Sequence, residues 1–169
     1  MALDAPVGLI SKPLSQVAAA LNLSSEFSVN FPNVHYNIVG RPMNAAEVMT
    51  QGEVQLTRPF ALLVPDYPDG IRATARAYGC LPSHAGTIWV KLEKEQAIEH
   101  GGNYEERQRY WDNQCGTILQ EMEAQLVDNQ SVLSLLGWHS YVSELSSERE
   151  RPGKGSFYRS AFKIDWGSQ

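Results

Sequence analysis

The longest periodic pattern in the chain lies between Asn103 and Val127. There Trp111, Cys115, Ile118, Met122 and Leu126 recur at steps of four, three, four and four, which keeps them on one face of an α-helix. Asn103 is placed to cap the free N–H groups of the first turn, and Glu105 and Glu106 stand where the helix dipole favours carboxylates. On the outer face, Glu105 and Arg109 are spaced for a weak pair. Gly116 interrupts this helix, and a helical glycine costs about 1 kcal/mol relative to alanine, so its presence predicts close approach of another backbone.

Upstream, residues 1–10 are short, apolar and punctuated by Pro6 and Gly8, which reads as an N-terminal arm or irregular lead-in whose order depends on a neighbour. Ser11-Lys12-Pro13 opens a short helix with Leu14, Val17, Ala18 and Leu21 on one face, ending near Leu23. The stretch holding Ser24, Ser25 and Ser28 leads to Val34–Gly40, whose β-branched and aromatic residues suit a strand. Asn44–Gln51 makes a helical turn that Gly52 stops, Glu53–Thr57 alternates polar and apolar, and Phe60–Val64 reads as a buried strand. Pro65–Gly70 is a dense turn signal. Between Ile71 and Tyr78 the alanines favour a helix, with a strand as the alternative.

Leu81–Gly86 reads as a loop and Thr87–Ile98 as a long half-buried strand, with Ile88, Val90 and Leu92 alternating against Trp89, Lys91 and Glu93. After the long helix, Asp128 or Asn129 is placed to cap a short helix through Val132, Leu133 and Leu136 that ends at Gly137. Trp138–Leu145 and Phe157–Trp166 form a hairpin, Tyr158, Phe162, Ile164 and Trp166 facing one way and Arg159, Lys163 and Asp165 the other. The predicted class is α+β, a mainly antiparallel sheet with one long and two or three short helices on one side and an extended charged hairpin loop.

With 169 residues, 43% of them hydrophobic, the chain suffices for one buried core, so a single domain spanning 1–169 is expected. A net charge of −5 argues against a general nucleic-acid binder, which needs a basic stripe. Cys80 and Cys115 lack a CxxC or Cys/His context, so reduced thiols in a cytoplasm are expected rather than a disulfide framework or zinc. No signal-peptide pattern and no membrane-spanning apolar run is present, and neither standard secretion nor membrane insertion is expected.

Candidate chemistry is sparse. His35, His84, His100 and His139 are scattered without metal-ligand spacing, and His84 beside Ser83 has neither a nucleophile elbow nor an identifiable orienting acid. Glu93, Glu95 and Glu99 read as a solvent face, and Cys115 as core. Gly101-Gly102 reads as a turn, lacking the spacing of a phosphate-binding loop. Trp89, Trp111, Trp138 and Trp166 either knit one core or, where they project outward, mark subunit contacts. No catalytic residue, cofactor or metal ligand is predicted. The connection Ser146–Gly155 is longer and more charged than a hairpin needs. Its Glu148, Arg149, Glu150, Arg151 and Lys154 present both signs, suiting either simple solvation or an interface with a second copy or a charged partner.

The strand Gly86–Ile98, the Arg-x-x-x-Trp-x-Asn-x-x-Gly-x-Ile segment from Arg107 to Ile118, the charged loop and the closing Phe-Lys-Ile-Asp-Trp-Gly at 162–167 together resemble tail terminator and tail-completion (neck) proteins of tailed bacteriophages. The resemblance covers half to two-thirds of the chain. It implies a structural virion protein and not an enzyme, assembled in the host cytoplasm into a homo-oligomeric ring, usually a hexamer. Such a ring caps the tail tube, stops its polymerisation and joins it to the head connector, with DNA only passing through the lumen. The resemblance leaves two alternatives open, a dodecameric head–tail connector or adaptor of the neck, and a cytosolic enzyme or small-ligand-binding protein.

Overall fold

A computed structural model of the chain describes residues 11–36, 43–50, 56–66, 72–75, 82–128, 133–146 and 155–168. In order, the elements are α1 (Ser11–Asn22), α2 (Ser25–Asn30), β1 (Asn33–Tyr36), α3 (Ala45–Thr50), β2 (Phe60–Asp66), β3 (Arg72–Ala75), β4 (Pro82–Glu95), a 3₁₀ turn (Ile98–His100), α4 (Tyr104–Asp128), β5 (Leu133–Leu145) and β6 (Phe157–Ser168). The strands form one sheet in the order β1-β2-β4-β6-β5, with β3 also paired to β4. β1 runs parallel to β2, and all other pairs are antiparallel. The fold is α+β, as the periodicity predicts.

α4 forms where the apolar stripe places it. Asn103 Oδ1 accepts from Glu106 N at 2.9 Å, and the Glu106 carboxylate accepts in turn from Gly102 N at 2.7 Å. Trp111, Cys115, Ile118 and Met122 are buried against Ile88, Val90, Leu92, Tyr158, Phe162 and Ile164 of the sheet. Each such side chain contributes roughly 1.5–3 kcal/mol on burial, which outweighs the weak propensity of the helix's polar face. α1 and α2 complete this layer through Leu14, Val17, Leu21, Phe27 and Phe31.

Not all helices lie on one side. Met43 and, from α3, Val48 and Met49 pack on Phe60, Leu62, Val64, Trp89 and Ala161, the opposite face of the same strands. β2 is buried at every position because both of its faces are covered, and its uninterrupted apolar run is the pattern such a strand requires. β4 is likewise covered on both sides, so Trp89, Lys91 and Glu93 are as buried as Ile88, Val90 and Leu92. The half-buried reading of this strand, and of Glu93 as solvent-facing, is thereby corrected.

Several local expectations give way to pairing. Residues 72–75 are strand, not helix, because their backbone finds an open stretch of β4 at Arg72↔Ala85 to Ala75↔Pro82, and ladder bonds there outweigh alanine's helix propensity. The same pairing makes 82–86 strand rather than loop. Leu133–Gly137 is strand rather than helix, since β6 extends far enough to pair Leu133 with Ser168. Ser25–Asn30 is a helix capped by Ser24, which accepts from Phe27 N. The strand predicted over Val34–Gly40 appears as Asn33–Tyr36, and β2 continues through Pro65 and Asp66 of the expected turn. Leu56–Pro59 is not strand, while the remainder of the Glu53–Thr57 alternation lies outside the described residues, as do the arm 1–10 and Cys80. Gly116 is exposed, and a Cβ there would meet nothing within 4 Å, so no backbone approaches it. The tryptophans do not share one core: Trp89 lies on the α3 face, Trp111 and Trp166 on the α4 face, and half-buried Trp138 donates to Glu123 at 2.7 Å.

Candidate interface at the base of the charged hairpin

Glu148, Arg149, Glu150, Arg151 and Lys154 lie outside the described residues. The structure instead defines the base that carries them. β5 and β6 pair up to Leu145↔Tyr158, and Ser146 then extends the ladder by donating its N–H to Phe157 O at 3.0 Å. The Ser146 hydroxyl accepts from Phe157 N at 2.7 Å. Gln96, just past β4, fastens the same corner: its N–H donates to Ser156 O at 3.0 Å and its side-chain amide to Phe157 O at 3.1 Å. Gly155 enters this base with φ +95°, the left-handed region in which glycine alone is unstrained. Each hydrogen bond contributes about 0.5–1.5 kcal/mol net, and together they fix where the loop leaves the sheet.

Charged side chains surround Phe157. The Arg58 guanidinium lies 3.9 Å from its ring centre and that of Arg159 lies 5.6 Å away. Arg58 pairs with Glu93 at 2.5 Å and Glu95 at 3.1 Å. Burial works against the Arg58 charge, but the two carboxylates outweigh it and hold the pKa above its ordinary value. Arg159 pairs with Glu144 at 2.7 Å and donates to Met49 O at 3.3 Å, tying β5, β6 and α3 together. Deeper in, Lys91 Nζ stands 2.9 Å from Glu93 Oε2, both side chains fully buried. Their alignment is that of an ion pair and not of a directed hydrogen bond, since Oε2 lacks a well-oriented donor. Further along the same face Asp66 accepts from Lys163 at 2.6 Å, from the Trp89 indole at 3.1 Å and from Met43 N at 3.2 Å.

Other chemically suggestive groups do not converge here. His139 places Nδ1 2.9 Å from Ser140 Oγ and Nε2 3.1 Å from Asp165, with Ser140 at φ +56°. These residues sit on open surface at a bulge of β5, where water competes with any substrate contact. Burial pushes the Cys115 thiol up to about 12 and so keeps it protonated, although the Ser160 hydroxyl 3.3 Å away acts in the opposite direction. Among the described residues no cluster of three His, Cys, Asp or Glu side chains is placed to hold a metal. An open cleft of about 270 Å³ between α1, α2 and β1 carries no charged side chain among its described lining residues. No helix among the described residues is long and apolar enough to cross a membrane.

Sequence reasoning singled out the loop and missed its supports. Gln96 reads as the tail of a strand and Glu93 as solvated, while Arg58 carries no reading there. One signal was present: Lys91 and Glu93 are opposite charges two apart, hence on one strand face, beside a β2 whose continuous apolar run announces that both faces are covered. No protein-family model and no curated protein matches this chain.

Proposed function

We propose that the chain is a structural virion protein of a tailed bacteriophage, a tail terminator or tail-completion protein of the neck. Its copies close into a ring, six in number, that ends the tail tube and joins it to the head connector. The observation that carries the reading is the hairpin base, where Ser146, Phe157 and Gln96 hold a loop of alternating charge at a fixed exit from the sheet. A rigid base lowers the entropy lost when a charged loop docks, and opposite charges on one segment set register between subunits.

The β5 edge of the sheet supports the same assignment. β5 is an edge strand whose register shifts between Leu135 and Gly137 and between His139 and Val142, and such bulges blunt strand-to-strand association. Contacts between copies at this edge therefore run through loops and side chains rather than through an extended sheet. A ring subunit needs two different complementary faces, and the hairpin supplies one of them. The net charge of −5 suits a lumen through which DNA passes without adhering.

The test is an assembly experiment. A variant lacking Glu148–Lys154 is expected to fold and to fail in joining heads to tails in an assembly extract, while the full chain completes them. Normal joining by the deletion variant would overturn the proposal.

A further inference from the structure

The corner between β4 and α4 is closed by one imidazole. His100 Nδ1 lies 3.2 Å from Ala97 N and 3.0 Å from the hydroxyl of Tyr158, a fully buried residue. Its ring stacks on Tyr110 with centroids 3.9 Å apart. A backbone N–H can only donate, so Nδ1 must present its lone pair, and the Tyr158 hydroxyl donates to the same atom. The imidazole is therefore neutral, with its proton on Nε2.

We propose that His100 is a proton-sensitive latch that fastens the 3₁₀ turn Ile98–His100 to β6 and lets go when the ring takes up a second proton. A proton on Nδ1 faces the Ala97 N–H directly, and both donors lose their acceptor. The charged and titratable groups around the ring act in both directions. Lys94 of β4, whose ammonium sits 2.9 Å from the Tyr110 hydroxyl, opposes a second cation, as does burial, the larger effect. Glu99 of the turn favours the cation, and the face of Tyr110 on α4 does so too. Arg107 of α4 adds positive charge beside Tyr158 of β6. Burial and Lys94 prevail, and the His100 pKa lies below the ordinary 6.5.

The latch adjoins the hairpin base. Ala97 follows Gln96, whose backbone and side chain hold Ser156 and Phe157, so release at Ala97 loosens the corner from which the charged loop leaves. The inference stands on His100 geometry alone and holds whether or not the chain forms a ring.

Nitrogen-15 NMR of the full chain tests it. At pH 7 the His100 Nδ1 resonance should be that of an unprotonated nitrogen, and the ring should titrate below 6.5. Amide exchange at Ala97 and Phe157, corrected for intrinsic rates, should accelerate by up to about tenfold per pH unit as pH falls from 6.5 toward that midpoint, and level off below it. Tyr158→Phe, which removes only the hydroxyl, should raise the His100 midpoint. If that variant does not fold, the wild-type tautomer and exchange data decide. A proton on Nδ1 at pH 7, a midpoint at or above 6.5, or exchange at Ala97 that ignores His100 titration would each overturn the latch.

Discussion

Glu93 bears the heaviest electrostatic demand among the described side chains, because it is fully buried and ionically tied to both Lys91 and Arg58. Removing one partner from such a pair leaves a stranded charge, which costs about 3–5 kcal/mol, whereas replacing both by apolar residues is often nearly neutral. Glu93→Leu is therefore expected to destabilise by about that amount in urea unfolding, and Lys91→Met with Glu93→Leu by clearly less. Equal losses in the single and double variants would show that the pair is not coupled. Gly116 offers the opposite case. Its Cβ position is open, so Gly116→Ala should stabilise by about 1 kcal/mol, read as a raised melting temperature. Both residues show what sequence reading lacks: alternation along β4 cannot reveal that a second layer covers its polar face, and a helical glycine does not reveal that only water lies beside it. The histidines set a pH dependence. Burial, reinforced by Lys94 at His100, lowers both folded-state pKa values below 6.5. Below 6.5 the unfolded chain then binds more protons, so this stability is complete above that pH and is lost as pH falls through it toward the lower folded values. Urea midpoints measured from pH 7.5 downward should decline in that window. A flat or rising profile would contradict the assignment.

Elements were legible in proportion to their length. α4, β2 and the β5–β6 hairpin declare themselves because many residues repeat one period and their burial reinforces it. α2 spans six residues, too few for a stripe, and exists because Ser24 caps it and packs it on α4. Ser24 Oγ accepts from Phe27 N at 3.1 Å and donates to the Glu121 carboxylate, whose pKa this hydrogen bond lowers. Ser24→Ala should therefore cost about 1 kcal/mol for the lost cap, measured by thermal unfolding, while a change near zero would show that α2 is held by Phe27 packing alone. β3 was hidden for a different reason. Its alanines favour helix locally, and only the open stretch of β4, contributed by residues distant in sequence, makes the strand the better solution.

In the whole molecule, β2 and the centre of β4 are covered on both faces, while the β5 edge is open on one face and blunted by its bulges. The sutured hairpin base is the contact that the proposed ring would use. The loop was legible in the sequence as length and charge beyond what a hairpin needs, while its platform of Arg58, Gln96, Ser146 and Arg159 was not. Those residues come together only through the pairing of β4 with β6 and of β5 with β6. The most direct test of the ring is the native mass of the purified chain and of the variant lacking Glu148–Lys154, measured side by side at several concentrations. The full chain is expected at a closed multiple of its 18.8 kDa subunit mass, and the deletion variant as a folded monomer with unchanged melting temperature. A full chain that stays monomeric throughout, or a deletion variant that assembles equally well, would contradict the account.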